Sequence, residues 1–496
     1  MPGFFVENFG CRATQADGAA LERQFEEHGL ARASSTTQAS VVVLNTCTVT
    51  AGADQDARAA IRRVRRQNPK ARIVVTGCYA QRAPDEIAAL PGVDLVIGNS
   101  HKHQLAEIVA TAARGWGSSR SAGRQPVLSE PAFAPGVSAF IPVAALSDPG
   151  GSRQPEAGNS VFVSDIFAHT ELVAAPVFDA ANERTRPNLK VQDGCDNRCS
   201  FCVIPYVRGQ SRSLPMDSVI GEVNTLVKAG YREVVISGIN LGRWGADLDS
   251  GLQASRRSPR PVTRKPRFED LIRVILSETS LEMLRISSVE PMDWSDELIE
   301  LLASSPRIAR HAHVPMQSGS DAVLRRMHRK YRPWHYRAKI EKIRAAMPDA
   351  AIGADVMAGF PGETDSEFQA TRQMIEDLPL TYLHVFTYST RPGTPAAEVK
   401  NQVPVQVARE RSRLLRELAS EKKLAFMGSF IGKTVKAITL NVIGRDSDGE
   451  FTEALTDNYL KLRLHGEHEP NRWQRAIVER AVAGSLLGRP RAGPLP

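Results

Sequence analysis

Apolar and polar residues are distributed along this chain in two rhythms. In the first hundred residues the apolar runs "FFVENF", "SVVVLNT", "RIVVTG" and "VDLVIG" read as strands. Between them the apolar positions take helical spacing: Leu21 and Phe25 precede a stop near Gly29, and Ala57, Ile61 and Val64 follow in a second stretch. Alternating strand and helix predict a doubly wound parallel sheet.

The same alternation resumes between residues 187 and 390. Strand-like runs "NLKVQDG", "EVVISG", "MLRISS", "HAHVPM", "AIGADVMAGF" and "YLHVFTY" are separated by helical patterns such as "FEDLIRVIL" and "SDELIELLA" and by an amphipathic stretch around 364 to 377. Six such repeats predict an open, partial parallel barrel with its chemistry at the strand carboxyl ends. After Pro404 come a charged helix, "VARERSRLLRELASEKKLAF", and short strands in "KTVKAITLNVIG", "GEFTEALTD" and "NYLKLRLHG". Three or four strands are visible before Gly466, fewer than the five a small barrel needs, with "RWQRAIVERAV" able to complete it and "GRPRAGPLP" reading as a loose tail.

The expected fold class is α/β, in five segments. These are an N-terminal α/β domain over 1–112, an inserted loop or linker over 113–160, the partial (β/α)6 barrel over 161–400, a connecting helix over 401–430, and a small β-barrel module with its tail over 431–496. The insertion is rich in Gly, Ser, Pro and Ala, and a second one at 249–267 is basic; both read as loops.

Composition narrows the class. The chain has 496 residues, 42% of them hydrophobic, enough for two or three separate cores. It shows no basic leader followed by an apolar stretch and no run approaching the roughly 18 apolar residues of a membrane span. With six cysteines it is expected in a reducing cytoplasm, where clustered thiols bind metal more often than they pair. A net charge of +8 suits a polyanion such as RNA. "ARAAIRRVRRQNPKAR" at 57–72 gathers Arg58, Arg62, Arg63, Arg65, Arg66, Lys70 and Arg72 on and after one helix, either a phosphate-binding face or a solubilising one.

Chemistry concentrates in the cysteines. Cys195, Cys199 and Cys202 stand in a Cys-x3-Cys-x2-Cys loop, "DGCDNRCSFCVIPYVRGQSRS". Three thiolates so close can hold three irons of a 4Fe-4S cube and leave the fourth without a protein ligand. A structural zinc would want a fourth ligand at similar spacing, and none follows. Cys11, Cys47 and Cys78 each follow a strand of the first domain, one strand-helix repeat apart. Loops beyond the carboxyl ends of such a sheet converge on one crevice, so these thiols can hold a second cube, again with one iron open.

Polar and glycine residues stand at the barrel's strand ends where a cofactor could lie: Ser237, Gly238 and Asn240 after the second strand, Ser287, Ser288 and Glu290 after the third, Gln317 and Ser318 after the fourth, and Asp355 in the fifth. "GFPGE" at 359–363 lacks the Lys-Ser/Thr ending of a phosphate loop.

The Cys195–Cys202 loop resembles that of radical S-adenosylmethionine (SAM) enzymes. "FGCRATQ", "NTCTVT" and "TGCYAQ" resemble the three cysteine motifs of methylthiotransferases, and "RISSVEP", "VPMQSGSDAVLRRMHRKY", "GADVMAGFPGET" and "HVFTYSTRPGTPAA" are closest to the branch acting on threonylcarbamoyladenosine in tRNA. The resemblance covers residues 9 to 397, and the C-terminal strands resemble an RNA-binding TRAM barrel. It implies two 4Fe-4S clusters, SAM bound at the open iron of the radical loop with Phe201 beside its adenine, and sulfur methylated at the other cluster. The 5'-deoxyadenosyl radical would then remove hydrogen from C2 of an adenosine turned out of the tRNA anticodon stem-loop. An electron donor and a sulfur source are also implied, and the protein is expected to act as a monomer. The family usually carries Asn beside the Gln of its first motif; Thr14 stands before Gln15 here, which puts that amide's contribution in question. The same two clusters would also serve an isopentenyladenosine in tRNA or a ribosomal-protein aspartate. A non-catalytic iron-sulfur RNA-binding protein and a cobalamin-dependent radical enzyme are the remaining alternatives, and the second leaves Cys11, Cys47 and Cys78 unexplained.

Overall fold

The computed structural model describes residues 3–115, 160–169, 172, 185–248, 264–447, 449–482 and 484–491. Most of the two insertions, and the chain from 492 on, lie outside the described residues. The chain divides into two compact units: Met1–Ala175 with Gly194–Asp196 and Val203–Gln210, and the remainder.

The first unit is built on strands β1 (Gly3–Asn8), β2 (Ala31–Arg32), β3 (Val41–Thr46), β4 (Arg72–Gly77), β5 (Leu95–Gly98) and β6 (Ser160–Phe162), all parallel, in the order β2-β1-β3-β4-β5-β6. Its helices are α1 (Arg12–Glu27), α2 (Ala51–Gln67), α3 (Cys78–Arg82), α4 (Pro84–Ala88), α5 (Leu105–Gly115) and α6 (Ile204–Arg208). Successive strand residues bury on opposite faces, as a doubly wound sheet requires. Val42, Leu44, Ile73 and Val75 pack with Ala57, Ile61 and Val64 of α2, while Val41, Val43 and Val74 pack with Leu21 and Phe25 of α1 and Val109 of α5. β1 is flanked by β2 and β3, so the strand order reverses there, and such a switch point opens a crevice at the strand carboxyl ends.

In the second unit, β7 (Asn188–Lys190), β10 (Glu233–Ser237) and β11 (Met283–Ile286) form one parallel sheet, and β12 (His311–His313), β13 (Ala351–Ala358) and β14 (Tyr382–Thr387) another. Parallel bridges Leu284–Ile308 and Ser288–His313 join them into six consecutive strands. Short strands β8 (Gln192–Asp193) and β9 (Arg212–Ser213) pair antiparallel on either side of the cysteine loop. Around the strands lie α7 (Met216–Lys228), α8 (Phe268–Glu278), α9 (Asp296–Ser304), α10 (Asp321–Arg326), α11 (Pro333–Ala346) and α12 (Asp365–Asp377). One apolar core, with Trp244, Trp294 and Phe268 among its largest members, fills the space between.

The long helix α13 (Val405–Gly428) leads into a closed barrel of β15 (Thr434–Asp446), β16 (Gly449–Thr456), β17 (Lys461–His465), β18 (Trp473–Val482) and β19 (Ser485–Pro490). The module is therefore complete: "RWQRAIVERAV" supplies β18, and Gly488–Pro490, read from sequence as loose tail, belong to β19. It docks at the amino-terminal ends of the parallel strands. There Arg285 of β11, 1% exposed, bonds Glu233 at 2.6 Å and donates to the carbonyls of Thr456 and Asp457 at 3.2 and 3.1 Å.

Candidate metal centres

Cys11, Cys47 and Cys78 fall where β1, β3 and β4 end, on the crevice side of the switch point. Register aligns these ends, pairing Asn8 with Asn45 and Thr46 with Gly77. Two glycines draw the loops together. Gly10, at φ +96°, lies so near Cys47 that a Cβ there would be 2.5 Å from Cys47 Cβ and 2.8 Å from its sulfur. Gly77, at φ +98°, leaves 2.3 Å between such an atom and the Thr46 carbonyl oxygen. Neither place admits a side chain. Both glycines immediately precede a cysteine, a signal present in "FGC" and "TGC" that the sequence reading did not use.

Cys11 is the N-cap of α1, and Cys78 the first residue of α3. Burial first, and then the neighbouring Cys78, push the Cys47 thiol up to about 12. Cys78 Sγ accepts from Asn99 Nδ2 at 3.5 Å, and Cys11 Sγ lies 3.5 Å from Thr14 Oγ1, with either of that pair able to donate. Thr14 is buried, and the side-chain amide of Asn45 donates to its carbonyl at 2.8 Å. Among the described residues no three His, Cys, Asp or Glu side chains close around a single metal ion. A cube makes a different demand, three thiolates each on its own iron, and the glycine-enforced approach and the Asn99 N–H on the Cys78 sulfur fit that demand.

In the second loop, Gly194 at φ +71° would place a Cβ 1.8 Å from Gln210 O, and the Cys195 amide donates to Gly209 O at 3.1 Å. Cys199 and Cys202 share a turn closed by the Cys202 amide on Cys199 O at 3.1 Å. None of the three cysteines is in a disulfide, and each is partly exposed. Arg329 was not legible from sequence: it donates to Cys199 Sγ at 3.2 Å and pairs with Glu290. Cys199, Glu290, Arg329, Asn197 and Arg243 line one pocket of the second unit.

The other residues expected near a cofactor divide by what they already bind. Ser237 ends β10 with its buried hydroxyl unpartnered among the described residues, an available donor. Gly238 would drive a Cβ to 2.8 Å from Gln192 Oε1, the atom that also accepts from the Asn240 amide at 2.7 Å. His313 Nδ1 is hydrogen-bonded to Ser288 Oγ at 3.0 Å, and its Nε2 faces Asp355 Oδ1 at 3.4 Å without a hydrogen bond. Gln317 holds φ +59°, and its backbone bonds Asp355 and Met357. Ser318 is committed to Thr371 at 3.0 Å and is a structural residue. Phe201 packs edge-on to Phe360, ring centroids 6.4 Å apart.

Of the basic residues of 57–72, Arg58 pairs with Glu86, Arg63 with Glu7, and Arg65 and Arg72 with Asp94. Arg62, Arg66 and Lys70 are exposed.

Residues 3–98 match the model of the uncharacterized protein family UPF0004, and residues 189–375 that of the radical SAM superfamily. A threonylcarbamoyladenosine tRNA methylthiotransferase of Aquifex aeolicus is 33% identical over 95% of this chain and 99% of its own length. Its counterpart in Bacillus subtilis is 33% identical over 93% and 90%. A tRNA-2-methylthio-N(6)-dimethylallyladenosine synthase of Novosphingobium aromaticivorans is 32% identical over 88% and 86%. Among solved structures, a radical SAM methyltransferase from Kitasatospora setae aligns with a TM-score of 0.52 at 16% identity, covering 79% of this chain and 74% of that one, a likeness of fold.

Proposed function

This chain belongs to the radical SAM methylthiotransferase family, and on that footing we propose that it adds a methylthio group to C2 of N6-threonylcarbamoyladenosine beside a tRNA anticodon. It is a transferase that uses SAM and two 4Fe-4S clusters. When bound, these would supply a radical, made by one-electron reductive cleavage of the SAM sulfonium and able to take a hydrogen atom from a C–H bond, together with a methyl group and cluster-borne sulfur. Such chemistry suits the target, because an aromatic adenine C–H is too weakly acidic for acid-base removal.

In this reading Cys195, Cys199 and Cys202 ligate the radical cluster, and Cys11, Cys47 and Cys78 the sulfur-bearing one. Glu290 and Arg329 offer the opposite charges that the amine and carboxylate of methionine require, next to Cys199. The Ser237 hydroxyl, Asn240, Gln317, Ser288, His313 and Asp355 are the polar groups for the nucleoside part, with the Gly238 backbone close by and Phe201 as an apolar wall. Arg62, Arg66, Lys70 and the C-terminal barrel would bind tRNA phosphates. No helix among the described residues is long and apolar enough to cross a membrane, and a tRNA substrate suits a cytoplasmic site of action. Electrons and replacement sulfur would come from outside the chain.

The observation that carries the reading is the pair of glycines, Gly10 and Gly77, crowding the Cys11, Cys47 and Cys78 loops. A structural core cysteine asks for no such cradle. Nucleoside analysis of tRNA from cells lacking the gene tests the substrate. Loss of 2-methylthio-threonylcarbamoyladenosine is expected. Loss of the dimethylallyladenosine product instead would favour the second reading, which the 32% identity to such a synthase keeps open.

A further inference from the structure

Around the Cys11, Cys47 and Cys78 loops lies a buried group of charges that thiol ligation alone does not require. Lys102 is 3% exposed, Arg208 2% and Asp17 1%. They come from three places in the fold: the turn after β5, the end of α6 and the second turn of α1. One carboxylate oxygen, Asp17 Oδ2, accepts from Lys102 Nζ at 2.9 Å and from Arg208 Nη2 at 2.9 Å. Lys102 also donates to Asn45 Oδ1 at 3.3 Å, at the carboxyl end of β3 just before Cys47. Arg208 Nη2 lies 3.5 Å from Thr14 Oγ1, the hydroxyl that touches Cys11.

Burying an ion costs several kcal/mol even after relaxation, so two cations on one carboxylate oxygen are costly unless further negative charge is near. Three cysteine thiolates holding a cluster would supply it. Burial holds Lys102 below the usual lysine range; Asp17 and, more weakly, Cys78 act against that, and Arg208 acts with it. A cube held by three thiolates is anionic, and each added electron or anionic sulfur makes it more so. Nearby charge is among the levers that set a cluster's potential, and it acts strongly where water is excluded.

We propose that Lys102 and Arg208, held by Asp17, are positioning residues whose buried positive charge stabilises the more negative states of the Cys11–Cys47–Cys78 cluster and raises its reduction potential. This rests on the reading of that trio as a cluster site.

The test uses the full chain with Cys195, Cys199 and Cys202 changed to Ala, so that a single cluster is observed. Iron per chain and the midpoint potential from EPR-monitored redox titration are measured for this parent and for added Lys102→Met, Asp17→Asn and Lys102→Arg. With iron retained, K102M should shift the midpoint to lower potential, D17N to higher potential, and K102R should stay near the parent. Opposite shifts at two residues joined by one hydrogen bond are what charge produces and what a packing defect does not. A loaded parent whose potential ignores both changes, or moves the same way with both, overturns the proposal. If K102M does not load, D17N decides alone: a higher potential supports the proposal, and an unchanged or lower one overturns it. If neither loads, a loaded K102R at the parent's potential supports the charge requirement and an unloaded K102R ends it. A parent without iron defeats instead the reading of the trio as a cluster site.

Discussion

At Gly77 the backbone takes φ +98° and the Thr46 carbonyl oxygen lies 2.3 Å from where a Cβ would be built, so substitution meets both strain and collision. Gly77→Ala should lower stability by at least about 1–2 kcal/mol from the left-handed backbone alone. It should also cost the N-terminal cluster, seen as a fall in iron per chain with the radical cluster retained; a variant that keeps all its iron contradicts the cradle. Arg329 offers a second test. Removing a partner of a metal ligand usually costs about 10–100-fold in affinity or activity. Arg329→Ala should slow 5'-deoxyadenosine release from SAM and reductant by that order, with Arg329→Lys intermediate because it keeps the charge and loses the fork. An unchanged rate would remove Arg329 from the site. Residues of this kind are hard to read from sequence because their partners are remote: Arg208 and Asp17 stand 191 positions apart, and Arg329 and Cys199 130. The cysteines were legible because spacing and strand ends announce them.

Among the elements, the parallel strands were legible because each is a short apolar run set between helical stripes. β2, two residues long and exposed, carries no such signal, yet it creates the reversal of strand order beside β1. The C-terminal barrel was legible only in part. β18 shifts register between Val478 and Arg480, which breaks its alternation, and β19 ends in glycine, arginine and proline that read as tail. Arg285 helps to hold the barrel in place, and among the described residues Arg186, at 3.6 Å, is the second cation on its buried partner Glu233. Arg285→Met should therefore destabilise by about 3 kcal/mol, the lower end for breaking a buried pair, and adding Glu233→Gln should restore part of it. A thermal melt of the two variants decides this; equal stability of wild type and R285M would show the pair to be dispensable.

At the scale of the whole molecule, the tRNA reading needs exposed positive charge, and on α2 the sequence offered more than the structure leaves available. Four of the arginines and lysines at 57–72 pair with acids, so only Arg62, Arg66 and Lys70 remain for phosphates there. Changing these three to Glu should weaken tRNA binding and flatten its dependence on salt, since fewer counterions are released; affinity and slope equal to wild type would move the RNA surface elsewhere. The division of labour between two cysteine trios is more fundamental. Anaerobic iron and sulfide analysis of the chain carrying Ala at 11, 47 and 78, combined with a SAM-cleavage assay, tests it most directly. Half of the iron should be lost, and 5'-deoxyadenosine should still form while no methylthio group reaches tRNA. Full iron content in that variant, or methylthiolation that survives the loss, would contradict a separate sulfur-bearing centre.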